Sequence, residues 1–209
     1  VAYGTILGPD GKPLETRAGG TVRLRDLLDA AVARVRDVVA EKNSELTPDE
    51  LDTVAEQAGI GAVKYADLST SRVKDYTFDP VRMTALNGNT GVYLQYAHAR
   101  VCSILRKAAD TTHATVDPGV ALEPAERALA LTLDAYGTVL DEVAESLEPH
   151  RLAGYLYELA RVFTTFYDSC QVRTASEPVR SNRIVLCGLT AATLERGLGQ
   201  LGIAAPQRM

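Results

Sequence analysis

The sequence predicts a mainly α-helical protein whose short strand-bearing start precedes a run of long amphipathic helices. Three observations carry this reading. From Arg23 onward, apolar residues recur at three- and four-residue spacing, the period of a helix that buries one face. Before that point, Val1 to Leu7 is rich in residues that tolerate extended backbone, and it runs into Gly8-Pro-Asp-Gly11, which has the chemistry of a tight turn. Asn87-Gly88-Asn89 gives the best interior boundary, a glycine between two turn-tolerant residues, and divides the chain into residues 1–87 and 88–209.

The elements follow in order. Val1–Leu7 is expected to be a strand, and with no partner nearby it is expected to belong to a sheet whose remainder lies elsewhere, because a lone strand leaves both edges open. Lys12 to Thr21 lacks periodicity and predicts an irregular loop. Leu24, Leu27, Leu28, Ala31, Val35 and Val38 form the first helical stripe. Thr47-Pro-Asp-Glu50 reads as a helix start: Thr47 caps, Pro48 needs no N–H there, and the acids suit the positive end. Leu51, Val54, Ala55 and Ala58 give a short stripe that Gly59 is expected to stop, with a second short helix over Ala62–Leu68. Lys74–Asp79 is expected to be extended, and Pro80 to open a brief helix. Beyond Asn89, helices are predicted over about 91–109, 124–147, from Pro149 to about Cys170, and 182–201, packed as a small bundle.

Composition narrows the function classes. The 46% hydrophobic content excludes a largely disordered chain. No apolar run approaches the roughly 20 residues that span a bilayer, and the first residues do not look like a secretory signal. Cys102, Cys170 and Cys187 lie far apart with only three histidines, so no metal site is expected; packing and a reducing cytoplasmic setting are. The net charge is -5, made of -3 over residues 1–87 and -2 over residues 88–209. Phosphate backbones select basic surfaces, so any nucleic-acid surface here must be built from a few well-placed side chains.

Gly88-Asn-Thr-Gly-Val-Tyr-Leu-Gln-Tyr-Ala-His-Ala-Arg100 resembles the segment of arginine–tRNA ligases where the catalytic body hands over to the helical anticodon-binding domain. The likeness continues in Ala62-Val-Lys-Tyr-Ala-Asp-Leu68, in Glu148-Pro-His-Arg-Leu152 with Tyr155 and Tyr157, and in Leu201-Gly-Ile-Ala-Ala-Pro-Gln-Arg-Met209. Gly8-Pro-Asp-Gly-Lys-Pro-Leu-Glu-Thr-Arg-Ala-Gly-Gly20 is similar to the family's second signature loop. The resemblance implies a helical DALR anticodon-binding domain over 88–209, preceded by the trailing part of a class I synthetase α/β catalytic domain over 1–87. It implies arginine tRNA as partner, with ATP and Mg2+ as cofactors of a complete enzyme and none for the isolated chain. No membrane role is implied.

The chain departs from the family pattern in lacking a first histidine-rich signature, since His98, His113 and His150 form no H-x-G-H arrangement, and in lacking the arginine pocket. Glu15 stands where relatives often place a lysine, and a carboxylate repels pyrophosphate. No complete catalytic set is therefore expected, and the isolated chain is expected to be inactive in arginylation. The expected function is anticodon-arm recognition as a truncated or split ligase, partnered by a missing amino-terminal catalytic part or a full-length ligase. The alternative is a catalytically inactive paralogue serving as an interaction or regulatory protein.

Candidate site residues follow. Lys12, Glu15, Thr16 and Arg17 form the remnant ATP-phosphate loop. Tyr96 and Arg100, four apart, share a helix face beside the buried Leu94, Ala97 and Val101, so an aromatic ring and a guanidinium stand together to stack on a base and grip a phosphate. Tyr93 and Gln95 are included with them; the alternative is that both tyrosines, Tyr93 and Tyr96, are amphipathic packing groups at a domain junction. Arg180 and Arg183 sit at the start of the last helix, where free N–H groups also favour phosphate, and Met209 joins them through the family resemblance.

Overall fold

The computed structural model describes residues 2–8, 11–13, 23–108 and 114–209. Among these, β1 (Ile6–Leu7) is followed by α1 (Leu24–Lys42), α2 (Pro48–Leu68), β2 (Tyr76–Thr77), α3 (Pro80–Met83), α4 (Gly91–Lys107), α5 (Pro124–Asp134), α6 (Tyr136–Ser146), α7 (Pro149–Ser169) and α8 (Val179–Gln200). The fold is mainly α: a helical bundle preceded by a small piece of α/β structure. Among the described residues, no helix is long and apolar enough to cross a membrane.

The strand at the start has a partner within the chain. Ile6 and Leu7 pair in parallel with Tyr76 and Thr77, and an isolated antiparallel bridge joins Leu7 to Pro13. The expectation of a strand without a nearby partner is corrected by β2, which the extended reading of Lys74–Asp79 had located without linking the two. The Asp75 carboxylate extends the pairing by accepting from the Thr5 amide at 2.6 Å.

Helix α2 starts as its sequence requires. The Thr47 hydroxyl accepts from the Glu50 amide, and the Glu50 carboxylate accepts from the Thr47 amide at 2.8 Å, a reciprocal cap. Gly59 does not end the helix. A Cβ there would lie 2.5 Å from the Val32 Cα, so this glycine marks where α1 crosses α2 at backbone contact. Gly61 and Gly91 meet in the same way, since a Cβ on Gly91 would stand 2.8 Å from the Gly61 carbonyl oxygen. One continuous helix therefore replaces the two short ones expected.

The helix expected over 124–147 is interrupted at Ala135, which lets α5 and α6 each lie against α7. Five helices, α4 to α8, thus build the bundle where four were expected. Its core holds Leu94, Val101, Leu129, Leu156, Phe163, Phe166 and Leu194, none more than 1% exposed. A second core gathers Val35, Val39, Ala58 and Phe78 beneath α1 to α3. Val92 and Ala99 of α4 belong to that second core, as does Met209, so α4 faces both. The glycine turn before α4 is as expected, with Gly88 at φ 77°.

Candidate nucleic-acid interface

Helix α4 divides its surface among three neighbours. Leu94, Ala97 and Val101 enter the bundle core. Gln95 and His98 are buried against α2 and the segment 201–209. Tyr96, Arg100, Ser103 and Lys107, three and four apart, line one wall of an open groove. Asn43 and Glu45, just after α1, and Arg208 and Met209 form the opposite side. The groove has a volume of about 490 Å³. With Arg100, Arg106, Lys107 and Arg208 against one acidic side chain, Glu45, the side chains of its lining are predominantly basic on a chain of net charge -5.

Arg100 does not dangle into this groove. Its guanidinium lies over the Tyr167 ring of α7 and is 3.8 Å from the Asp168 carboxylate. Tyr167 stacks in turn on Phe163, with ring centroids 6.4 Å apart. Tyr93 is half-buried and meets the edge of Tyr157, centroids 5.8 Å apart, next to this aromatic seam. The Met209 carbonyl accepts from the Asn43 amide at 3.2 Å, and Arg208 pairs with Glu50 at 2.9 Å. The Glu50 carboxyl is held below the usual carboxylate range chiefly by the Thr47 amide and then the Thr47 hydroxyl; slight desolvation opposes them and the Arg208 charge adds a smaller lowering.

The predicted site residues therefore separate. Tyr96, Arg100 and Met209 come together. Gln95 is 0% exposed, with its amide nitrogen donating to the Gln57 and Ala204 carbonyls, so it offers no surface to an RNA. Arg183 is also corrected: its side chain is 12% exposed, pairs with the buried Glu126 and donates to the Gln171 carbonyl. That pair holds α8 to the start of α5. Arg180 pairs with Glu177 at 3.0 Å and donates to the Ala108 carbonyl, outside the groove lining. Arg180 and Arg183 therefore do not join Tyr96 and Arg100 in the groove. Lys12 is exposed beside Gly11, whereas Glu15, Thr16 and Arg17 lie outside the described residues. Among the described residues no cluster of His, Cys, Asp and Glu could hold a metal.

Sequence reasoning missed Tyr167, Arg106 and Lys107. Lys107 was accessible by extending the Tyr96–Arg100 spacing along the same face. Tyr167 adjoins Phe166 in sequence but falls off the apolar stripe of its helix, so spacing gives no signal for it.

A helical bundle joined to a small α/β piece thus carries an open groove lined by basic and aromatic side chains. Residues 94–209 match the family model of the DALR anticodon binding domain, and residues 1–80 match that of the class I (R) tRNA synthetase catalytic domain. The chain belongs to the DALR anticodon-binding family, and it corresponds to the carboxy-terminal part of arginine–tRNA ligases. The arginine–tRNA ligase of Frankia casuarinae is 66% identical over 209 residues, covering 100% of this chain and 35% of the relative. That of Streptomyces coelicolor is 57% identical, covering 100% and 36%. The solved arginyl-tRNA synthetase of Thermus thermophilus superposes with a TM-score of 0.90 at 34% identity, covering 100% of this chain and 35% of that one. That of Plasmodium falciparum gives 0.85 at 26% identity, again covering 100% and 35%. The chain thus spans about a third of the length of these relatives.

Proposed function

We propose that this chain binds the anticodon arm of arginine tRNA, as the recognition part of a truncated or split arginine–tRNA ligase. The convergence of Tyr96, Arg100, Arg208 and Met209 on one groove carries the reading. A splayed loop base needs a flat apolar surface, which Tyr96 supplies, and the flanking phosphates need guanidinium or ammonium groups, which Arg100, Arg106 and Lys107 supply. Residues 88–209 form the recognition domain and residues 1–87 the trailing edge of a catalytic domain, whose remainder is the expected partner. ATP and Mg2+ belong to the complete enzyme on this reading. The isolated chain then gives no arginine-dependent ATP–pyrophosphate exchange, and clear turnover above a no-protein control overturns that part of the proposal.

Filter binding with labelled arginine tRNA tests recognition directly. Tyr96→Ala and Arg100→Ala should each weaken binding roughly ten-fold, in keeping with about 1–3 kcal/mol per stacked base. Equal affinity of the unsubstituted chain for an unrelated tRNA would remove the anticodon assignment.

A further inference from the structure

Residues 201–209 are fastened along α2 and α4 by side chains rather than by a strand partner. The Lys64 ammonium donates to the Gly202 carbonyl at 2.6 Å, the Gln95 amide to the Ala204 carbonyl at 2.8 Å, and His98 Nδ1 meets the Pro206 carbonyl at 3.0 Å. Three carbonyls, each two residues from the next, are thus taken by donors of α2 and α4. Arg106 and Asn43 continue the fastening, reaching the carbonyls of Gln207 and Met209.

Two of these donors differ from the rest. Gln95 is 0% and His98 2% exposed, so both donor side chains are withdrawn from solvent. A carbonyl only accepts, which places the His98 proton on Nδ1 and leaves Nε2 to accept from the Cys102 thiol 3.5 Å away. Gln95 also donates to Gln57 of α2 at 3.2 Å, and Gly61 packs directly against its amide, where a Cβ would lie 2.9 Å from the nitrogen. One amide therefore ties α2, α4 and the 201–209 segment together.

We propose that Gln95 and His98 are positioning residues for tRNA binding: through the Ala204 and Pro206 carbonyls they set the register of residues 201–209, and so present Arg208 and Met209 to the groove beside Tyr96 and Arg100. Without these two buried anchors, the segment would no longer be held at Ala204 and Pro206, and Arg208 and Met209 would lose their place beside the groove. Neither Gln95 nor His98 touches the RNA; their effect runs wholly through the segment they hold. The inference rests on the anticodon reading of the groove.

The test compares the unsubstituted chain with His98→Leu, which removes the donor, and His98→Asn, which returns an N–H near the Nδ1 position. Gln95→Met, which keeps length and apolar burial without the donor, forms a second arm should the leucine variant fail to fold. Amide hydrogen exchange over 201–209 and binding of an arginine tRNA transcript are measured together, with thermal unfolding to establish that the bundle is intact. The donor-less variants should exchange faster over 201–209 and bind the transcript roughly ten-fold more weakly, while His98→Asn recovers both. Unchanged exchange overturns the proposal. So does a loosened segment with unchanged tRNA affinity. Failure of the unsubstituted chain to bind the transcript overturns the anticodon reading, and the role in RNA binding with it; that outcome is scored before any variant is compared.

Discussion

The guanidinium of Arg100 stands 4.3 Å from the centre of the Tyr167 ring and reaches the neighbouring Asp168 carboxylate as well. An arginine held this way has surrendered part of its side-chain freedom before any ligand arrives, and a planar cation on an aromatic face is a geometry that lysine does not reproduce. Arg100→Lys should therefore bind arginine tRNA less well than the unsubstituted chain even though the charge is kept. Arg100→Ala should also flatten the dependence of log affinity on log salt by about one unit, the mark of a single lost phosphate contact. A salt titration of binding checks this, and equal slopes would show that Arg100 meets no phosphate.

Arg183 and Glu126 make the opposite prediction. Their side chains are 12% and 2% exposed, so Arg183→Met leaves a carboxylate buried without its countercharge, at a cost of about 3 kcal/mol. The loss should appear in chemical denaturation, with tRNA affinity unchanged once corrected for the fraction folded. Adding Glu126→Leu should recover most of the stability, except for the capping bond that the Glu126 carboxylate accepts from the Glu123 amide at 2.7 Å, about 1 kcal/mol. A specific loss of RNA binding in folded Arg183→Met would restore this arginine to the interface.

Gly59→Ala should lower stability by about 2–3 kcal/mol, although alanine is the better helix former. The added carbon would meet the Val32 backbone, which has no rotamer to move aside. Gly137 in α6 meets nothing within 4 Å, so Gly137→Ala should be neutral or stabilising. Thermal melts of the two variants decide the matter. A Gly59→Ala protein as stable as the parent would mean that α1 does not approach α2 so closely.

Glu50 predicts a dependence on pH. Its carboxyl is lowered in the folded chain, so its contribution is complete above the ordinary glutamate value and disappears as the pH falls through the folded one. Glu50→Gln should melt at a lower temperature near neutrality, and the two melting curves should converge in acid. A gap that persists in acid would exclude the charged cap as its source. The same variant releases Arg208, so its tRNA affinity should be followed alongside.

The fold was most legible where one face is apolar and the other is not. Leu152, Leu156, Leu159, Phe163 and Phe166 of α7, and Cys170 just after it, are all buried as their spacing indicates. Helix α8 is apolar on several sides, so spacing does not single out its inner face: Leu198 is buried and Leu189 is 51% exposed, while Ile184, Cys187 and Leu194 face inward. Spacing also placed Tyr96 and Arg100 on one face. It could not reveal that Gln95, one residue from Tyr96, lies beneath the 201–209 segment, because that cover comes from more than a hundred residues away. Arg183 was misread for the same reason, its partner Glu126 being distant in sequence.

The contact of Gly91 with Gly61 has a mechanical corollary. The turn at Asn87–Asn89 looks like a place to bend, yet just beyond it Gly91 of α4 is seated on the Gly61 backbone of α2, and Ile203 packs against the same Gly61. Force applied at the groove is therefore passed to α1 and α2 as through a weld, with no slack at the turn to absorb it.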